Sequence, residues 1–523
     1  MEHTTSAAPG VRAGWREWTG LTVLILPTLL VAVDIGVLFL ALPHLSADLG
    51  ATGTQQLWIT DVYGFTLAGF LITMGDLGDR VGRRRLLLAG AAAFTAASVL
   101  TAFATSTAML IGARALLGVA GATLSPSTLA LISNMFRDGR QRGVAISLWA
   151  ACQFGGAALG PIVGGLMLER FWWGSVFLLG VPVMCLLLVT GPFLLPEYRG
   201  PRAGRLDLPS VALSLAAILP VVYGVKELAA GGGAPAAAVL AILAGTAAGV
   251  VFVRRQLRLA DPLVNLSLLA LPSVRAALPG MLAASGVLAG TSLLTTQYLQ
   301  SVLRLPPGEA GLWQAPTGIG IAAGTLLAPL ALRWMRPVTA MAGGLAVSAA
   351  ALLVITQAGG PAGLVPVVAG IAVTAFGVGP LFVLGTGMVV GAAPPEKAGA
   401  AASLSETGNV FGSNLGLALL GSVGAAVYRH GMAGAALDGV PGDAAGAARE
   451  TIASATAVAG RSPEATGERL LAAAGEAFTT AMHVTAGLGV AIFVLLAVLL
   501  ALALRARREP AADAGSRADA KAR

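Results

Sequence analysis

Apolar residues in this chain arrive in unbroken runs of roughly 18–28 residues, separated by short polar gaps. At ~1.5 Å per residue each run is long enough to cross a hydrocarbon layer of ~30 Å as a helix. Fourteen such runs can be counted. Six lie at 20–43, 57–75, 86–105, 107–133, 143–168 and 174–195, and a pair follows at 208–228 and 234–254. Six more lie at 274–301, 309–332, 337–358, 361–391, 400–428 and 481–505. The first run begins near Leu21 and is too long for the apolar core of a signal peptide, so it reads as an uncleaved span. The pattern predicts an all-α integral membrane protein with fourteen transmembrane helices, two six-helix bundles and two inserted helices. The expected division is 1–206 for the first bundle, 207–273 for the inserted pair and its linker, and 274–523 for the second bundle.

The polar gaps carry a charge bias that orients the chain. Basic clusters at 80–85, 137–142, 198–205, 254–258, 333–336 and 505–508 fall in alternate gaps, and 25 of the 33 Lys and Arg collect on that one side. By the positive-inside rule that side is cytoplasmic, and an even helix count puts both termini there. One external gap is out of proportion, the loop 429–480. Within it, EATGERLLAAAGEAF (464–478) predicts a short amphipathic helix with Leu470, Leu471 and Ala474 on one face.

Composition then excludes several classes. The chain is 56% hydrophobic and 11% charged, with a mean hydropathy of +0.81, against about 25% charged for a soluble domain. A net charge of +8 does not indicate nucleic acid, because the basic residues sit in gaps between spans. Cys152 and Cys185 both lie in apolar runs, and the four histidines show no ligand spacing, so neither a disulfide framework nor a metal site is expected. There is no GxxxxGK[ST] and no HExxH, which argues against ATP-driven pumping and a membrane-embedded hydrolase. Thirty arginines against three lysines, with heavy Ala and Gly usage, fit a high-GC bacterial genome and hence a bacterial cytoplasmic (inner) membrane.

Candidate chemistry is confined to a few positions. Asp34, Asp61 and Glu406 are carboxylates inside predicted spans, where an ionised side chain costs ~2.5–3.5 kcal/mol at mid-depth. Such a group needs a proton, a bound cation or a paired arginine, the simplest chemistry for exchanging protons against cationic substrates. Arg114 is the one cation inside a span, and Asp34 of the same bundle is its expected partner. GDLGDRVGRRR (75–85) reads as a tight glycine-punctuated turn. In it Asp79 is placed to accept from a helix N-terminus or from Arg137 or Arg140 of the next gap. In FGGAALGPIVGG (154–165) Gly156, Gly160 and Gly164 repeat every four residues, a smooth groove for a neighbouring helix, and Pro161 bends the helix there.

Together these stretches resemble the major facilitator superfamily, and within it the fourteen-helix drug:proton antiporters of the quaternary-ammonium exporter type. The resemblance covers nearly the whole chain. GDLGDRVGRRR is similar to the superfamily's helix 2–3 signature (Gly75, Asp76, Asp79, Arg80, Gly82, Arg83), which implies gating. FGGAALGPIVGG resembles the antiporter signature (Gly156, Gly160, Pro161, Gly164, Gly165). VDIGVLFLALP (33–43), TQQLWITDVYGFTLAGF (54–70), Arg114 with Gly118, and NVFG (409–412) add to it.

By that resemblance Asp34 is the main proton-coupling carboxylate and Arg114 its modulator, while Asp61, Glu406 and Asn409 contact substrate or cation. It implies proton-driven efflux of lipophilic, cationic drugs by alternating access, with no cofactor beyond the proton gradient. The implied partners are a small lipophilic or cationic molecule, protons and the bilayer, with no nucleic acid, and the implied state is a monomer. Some positions depart from the pattern. Gly36 and Phe39 replace polar residues of the first-helix motif, Leu117 replaces a frequent Gln, and Ile321 and Ala401 or Ala402 stand where relatives carry further acids. These losses favour an alternative, a dedicated exporter of one natural product that confers self-resistance. A scaffold or receptor gives no reason for three intramembrane carboxylates, and an importer none for the helix-five signature.

Overall fold

The structure is a computed structural model that describes residues 13–51, 53–168, 170–199, 207–229, 235–259, 262, 271–359, 361–393, 398–435 and 440–505. A few side chains inside helices, including those of Asp61, Pro161 and Gly165, lie outside the described set. Among the described residues the chain is helical and contains no strand. The first bundle comprises α1 (Trp15–Leu49), α2 (Gly53–Val81), α3 (Arg83–Ala102), α4 (Thr107–Met135), α5 (Gly139–Leu168), α6 (Ser175–Leu178) and α7 (Gly180–Leu194). Then come α8 (Leu208–Ala229) and α9 (Pro235–Gln256), followed by α10 (Pro272–Gln297), which ends in a π-turn at Tyr298–Val302. The second bundle continues with α11 (Pro307–Ala331), α12 (Pro337–Ile355), α13 (Leu364–Ala392) and α14 (Ala398–Ala433). Two short helices, α15 (Gly442–Glu450) and α16 (Ile452–Ala459), precede the long α17 (Glu464–Arg505).

Local chemistry sets several of these boundaries. Ser106 caps α4 by accepting from the Met109 backbone N–H at 3.2 Å. Proline opens α10, α11 and α12, where its missing N–H is harmless. Each of the fourteen apolar runs falls on a helix, and ten segments are long and apolar enough to cross a membrane. The other four, α2, α5, α8 and α11, have 29, 30, 22 and 25 residues. Large apolar side chains such as Val189, Phe193, Leu240, Leu243, Leu495 and Leu499 stay exposed on the outer surface, as an acyl-chain environment allows. The chain is therefore a multi-pass membrane protein.

Packing puts α1 against α5 and α10 against α14, equivalent pairs in the two halves. Both pairs meet along glycine. A Cβ on Gly160 would lie 2.7 Å from the Cα of Gly36 and 2.8 Å from the carbonyl of Val33 on α1. On α14, Gly412 and Gly416 sit equally flush against Leu282 and Gly286 of α10. The α5 helix thus runs close against the α1 backbone at Val33 and Gly36. The bundles join along α5 with α11 and along α2 and α4 with α14. One apolar cluster crosses between them at the arginine-rich end, bringing Leu21, Leu24, Met135 and Trp149 together with Ala328, Val390 and Ala402. The inserted pair packs on α2 and α14, touching both halves. Its hairpin is tied at the arginine-rich end by Arg255, which donates to Asp207 at 2.9 Å, and by Ser210, which donates to the same carboxylate at 2.5 Å. Burial pushes the Asp207 carboxyl up, but these donors outweigh it and hold it below its ordinary value.

Four expectations are corrected. The turn after α2 is not several residues long: α2 is helical through Val81, and Gly82 alone, at φ +119°, turns the chain into α3. Only glycine adopts that backbone without strain, while Gly75 and Gly78 are ordinary residues of α2. The sixth run is broken at Leu179 into α6 and α7. Segment 429–480 is not a loop but mostly helix. Finally, 464–478 is not a separate amphipathic helix but the opening turns of α17, which is 42 residues long. Leu470 and Ala474 are buried there with Ala448, Ile452 and Ala455 of α15 and α16, so the expected apolar face exists and has a folded partner.

Candidate functional site

Asp34 lies midway along α1 and Arg114 in the first half of α4, and the fold brings them together. The Arg114 guanidinium donates to Asp34 Oδ2 at 2.8 Å, and the side chains are 1% and 11% exposed respectively. Its Nε donates to the Ile59 carbonyl of α2 at 3.4 Å. Its central carbon lies 4.8 Å from the Tyr63 ring centroid and 5.7 Å from that of Phe177, two π-faces that support a desolvated cation. Tyr63 is itself buried, and its hydroxyl has no hydrogen-bond partner among the described residues. On the other side Asp34 faces a small cavity lined by Leu30, Val33, Val37, Phe94, Phe177 and Gly180 among others, in which it is the single charged group. A carboxylate shared between a buried arginine and a small cavity can take up a proton and release the arginine. Its Tyr63 and Phe177 supports carry no sequence signal, since an aromatic inside an apolar run is ordinary.

Glu406 and Asn409 sit one turn apart on α14, 5% and 8% exposed. Asn409 Oδ1 accepts from Ser285 of α10 at 3.3 Å, next to the glycine seam. No hydrogen bond or ion pair to the Glu406 carboxylate is found among the described residues. The structure therefore holds two separate polar centres, one in each bundle, and no described contact joins them. Asp61 falls on α2, with its side chain outside the described residues. Ile321, Ala401 and Ala402 are buried apolar residues.

The arginine turn is held by several contacts of its own. Asp79 accepts from Arg83 Nε at 2.7 Å and Asp76 from Arg80 at 2.5 Å, both pairs inside the α2–α3 hairpin. Arg83, 1% exposed, also donates to the Gly75 carbonyl at 2.6 Å. The chain leaving α7 closes the arrangement. Tyr198 O accepts from the Arg83 N–H at 2.9 Å and Glu197 Oε1 from the Arg84 N–H at 3.1 Å, which satisfies two free donors at the start of α3. Glu197 Oε2 also lies 3.6 Å from Arg84 and 3.8 Å from Arg85, and Arg199 donates to the Val81 carbonyl at 2.9 Å. Sequence reasoning misses Glu197 because a carboxylate just outside a span is unremarkable. Losing this cap in Glu197→Ala is expected to cost about 1 kcal/mol, seen as a lower melting temperature of the purified protein. Glu197→Gln keeps the acceptor and loses only partly exposed ion pairs worth ~0–1 kcal/mol. Equal destabilisation by both variants would rule out the cap as the source.

Comparison with known proteins places the chain in a family. Residues 24–417 match the family model for the Major Facilitator Superfamily. The chain is 42% identical over 495 residues to the multidrug efflux pump LfrA of Mycolicibacterium smegmatis, covering 94% of this chain and 97% of LfrA. It is 33% identical over 496 residues to the methyl viologen resistance protein SmvA of Salmonella typhimurium, covering 92% and 97% of the two chains. It is also 34% identical over 423 residues to the puromycin resistance protein pur8 of Streptomyces alboniger, covering 78% and 82%. The chain is thus an all-helical, multi-pass membrane protein that buries an aspartate–arginine pair. It belongs to the major facilitator superfamily.

Proposed function

We propose that the protein is a proton-driven exporter of lipophilic, cationic drugs. It works by alternating access between the bundles 1–206 and 274–523, with 207–273 inserted between them. The observation that carries this reading is the buried Asp34–Arg114 pair facing a cavity, in a chain that aligns over 94% of its length with a multidrug efflux pump. Fourteen spans, both termini cytoplasmic, a monomer in the bacterial inner membrane and no cofactor complete the proposal.

Asp34 exchanges a proton, and Arg114, held meanwhile by Tyr63, Phe177 and the Ile59 carbonyl, reports that exchange to α2 and α4. Glu406 and Asn409 neutralise and orient a cation in the second half, with Asp61 nearer the outside. The hairpin of Asp76, Asp79, Arg80 and Arg83, tied down by Glu197, holds the cytoplasmic side closed. The glycines of α5, Gly156, Gly160 and Gly164, with Pro161 and Gly165, let α1 ride close on that helix. The membrane potential supplies ~2.3 kcal/mol per charge per 100 mV. A second reading, export of one natural product by its producer, is favoured by similarity to pur8 and to the tetracenomycin C resistance and export protein of Streptomyces glaucescens.

The test uses proteoliposomes acidified inside and loaded with a pH-sensitive dye. Adding ethidium or tetraphenylphosphonium outside is expected to release luminal protons at a saturable rate that a protonophore abolishes. Cation uptake that persists unchanged without a proton gradient would sink the antiport reading. Proton release with one aromatic polyketide or nucleoside antibiotic, and with no simple cation, would replace it by the dedicated exporter.

A further inference from the structure

The inserted helices α8 and α9 have no part in the chemistry above, yet α8 lies along α2, the helix that carries Asp61. They pack tightly at Gly69, where a Cβ would lie 2.9 Å from Leu219 and 3.1 Å from Leu215. Further from the arginine-rich end the contact passes to aromatic rings. Trp58 of α2 stacks with Tyr223 of α8, centroids 6.4 Å apart and planes 21° apart, and Phe65 meets Trp58 edge-on at 6.3 Å. Trp58 is 41% exposed and Tyr223 38%, so the cluster keeps free aromatic surface. Glu227, half-buried and one turn beyond Tyr223 on α8, has no described hydrogen bond or ion pair. Lys226 lies about a quarter-turn round α8 from Glu227.

We propose that this aromatic face, shared by α2 and α8, is a binding site for lipophilic monocations, separate from the polar centres inside the bundles. It rests on the cationic-drug reading and gives the inserted pair a share in substrate capture. Aromatic faces carry negative quadrupole density, and a cation within ~6 Å of them is attracted most strongly where water is scarce. The Glu227 carboxylate adds charge that an acyl chain or a neutral drug has no use for. A flat or globular aromatic cation gains from both.

The test measures equilibrium binding of tetraphenylphosphonium to the purified full-length protein in nanodiscs, with the neutral dye N-phenyl-1-naphthylamine as control. Trp58→Leu, Tyr223→Leu and Glu227→Gln are each expected to raise the Kd for tetraphenylphosphonium roughly three- to thirtyfold and leave the neutral dye unchanged. Trp58→Phe, which keeps a ring, should stay within about twofold of wild type. Wild-type affinity in Tyr223→Leu and Glu227→Gln overturns the site, as does equal loss of cation and neutral dye, which would mark a lipid-facing apolar surface. Glu227→Gln leaves packing intact and decides the matter if the aromatic variants misfold. Because the readout is binding, it is independent of transport. A wild-type protein that binds the cation at this face but moves no protons would refute the antiport reading alone.

Discussion

Asp34→Asn is expected to abolish drug-driven proton release in the proteoliposome assay while the protein still binds tetraphenylphosphonium. Asparagine cannot take up the proton, so nothing links cation movement to the gradient. The variant also leaves Arg114, 1% exposed, without its carboxylate. Breaking a buried pair from one side costs ~3–5 kcal/mol, reduced here because the asparagine oxygen, the Ile59 carbonyl and two ring faces remain around the guanidinium. Arg114→Gln has the mirror problem, but Asp34 lies against a cavity and is easier to satisfy. The melting temperature of Asp34→Asn should therefore fall further than that of Arg114→Gln, and the double variant should recover part of the loss. Wild-type proton release by Asp34→Asn would move the coupling role elsewhere, with Glu406 next in line.

The Asp34–Arg114 contact is legible in the sequence because an apolar run leaves a lone charge few options. Arg114 has two carboxylates within spans of its own bundle, Asp34 and Asp61, and Asp34 is the deeper, so the cost of leaving either charge alone favours pairing with it. The positions of the apolar runs are legible for a related reason, since each long run coincides with a helix. What escapes is whatever depends on groups that are ordinary in sequence. Glu197 follows a span where acids are common, and only the backbone geometry around Gly82 shows that it caps α3. Tyr63 and Phe177 are two aromatics among many, and their place beside Arg114 is set by the packing of α2, α4 and α6. The helices within 429–480 read as loop in the sequence because Ala and Gly dominate there. Their order comes from tertiary burial of Ala448, Ile452 and Ala455 against α17, where small side chains let helices approach closely.

The glycine seam gives the second large effect. A methyl group at Gly160 would sit 2.7 Å from Gly36 Cα and 2.8 Å from the Val33 carbonyl, about 1 Å short of ordinary contact. Both are backbone atoms with no rotamer to adjust, so α1 and α5 must separate along the stretch that places Asp34. Overpacking of this kind costs ~1–3 kcal/mol, more than the ~1 kcal/mol that alanine gains over glycine inside a helix. Gly155→Ala supplies the control, since its Cβ would meet Ala322 at 3.6 Å, an ordinary contact with the other bundle. Gly160→Ala should melt lower and lose most proton-coupled transport, whereas Gly155→Ala should melt at or above wild type and keep it. Gly416→Ala, flush against Gly286 of α10, should behave like Gly160→Ala, because α10 and α14 repeat in the second half the contact that α1 and α5 make in the first. Should Gly160→Ala melt and transport like wild type, the seam is slack enough to admit a methyl group, and close approach of α5 is not what fixes Asp34. If only Gly416→Ala is tolerated, the two halves are not mechanically equivalent, and the rigid element of the transport cycle is the first bundle alone.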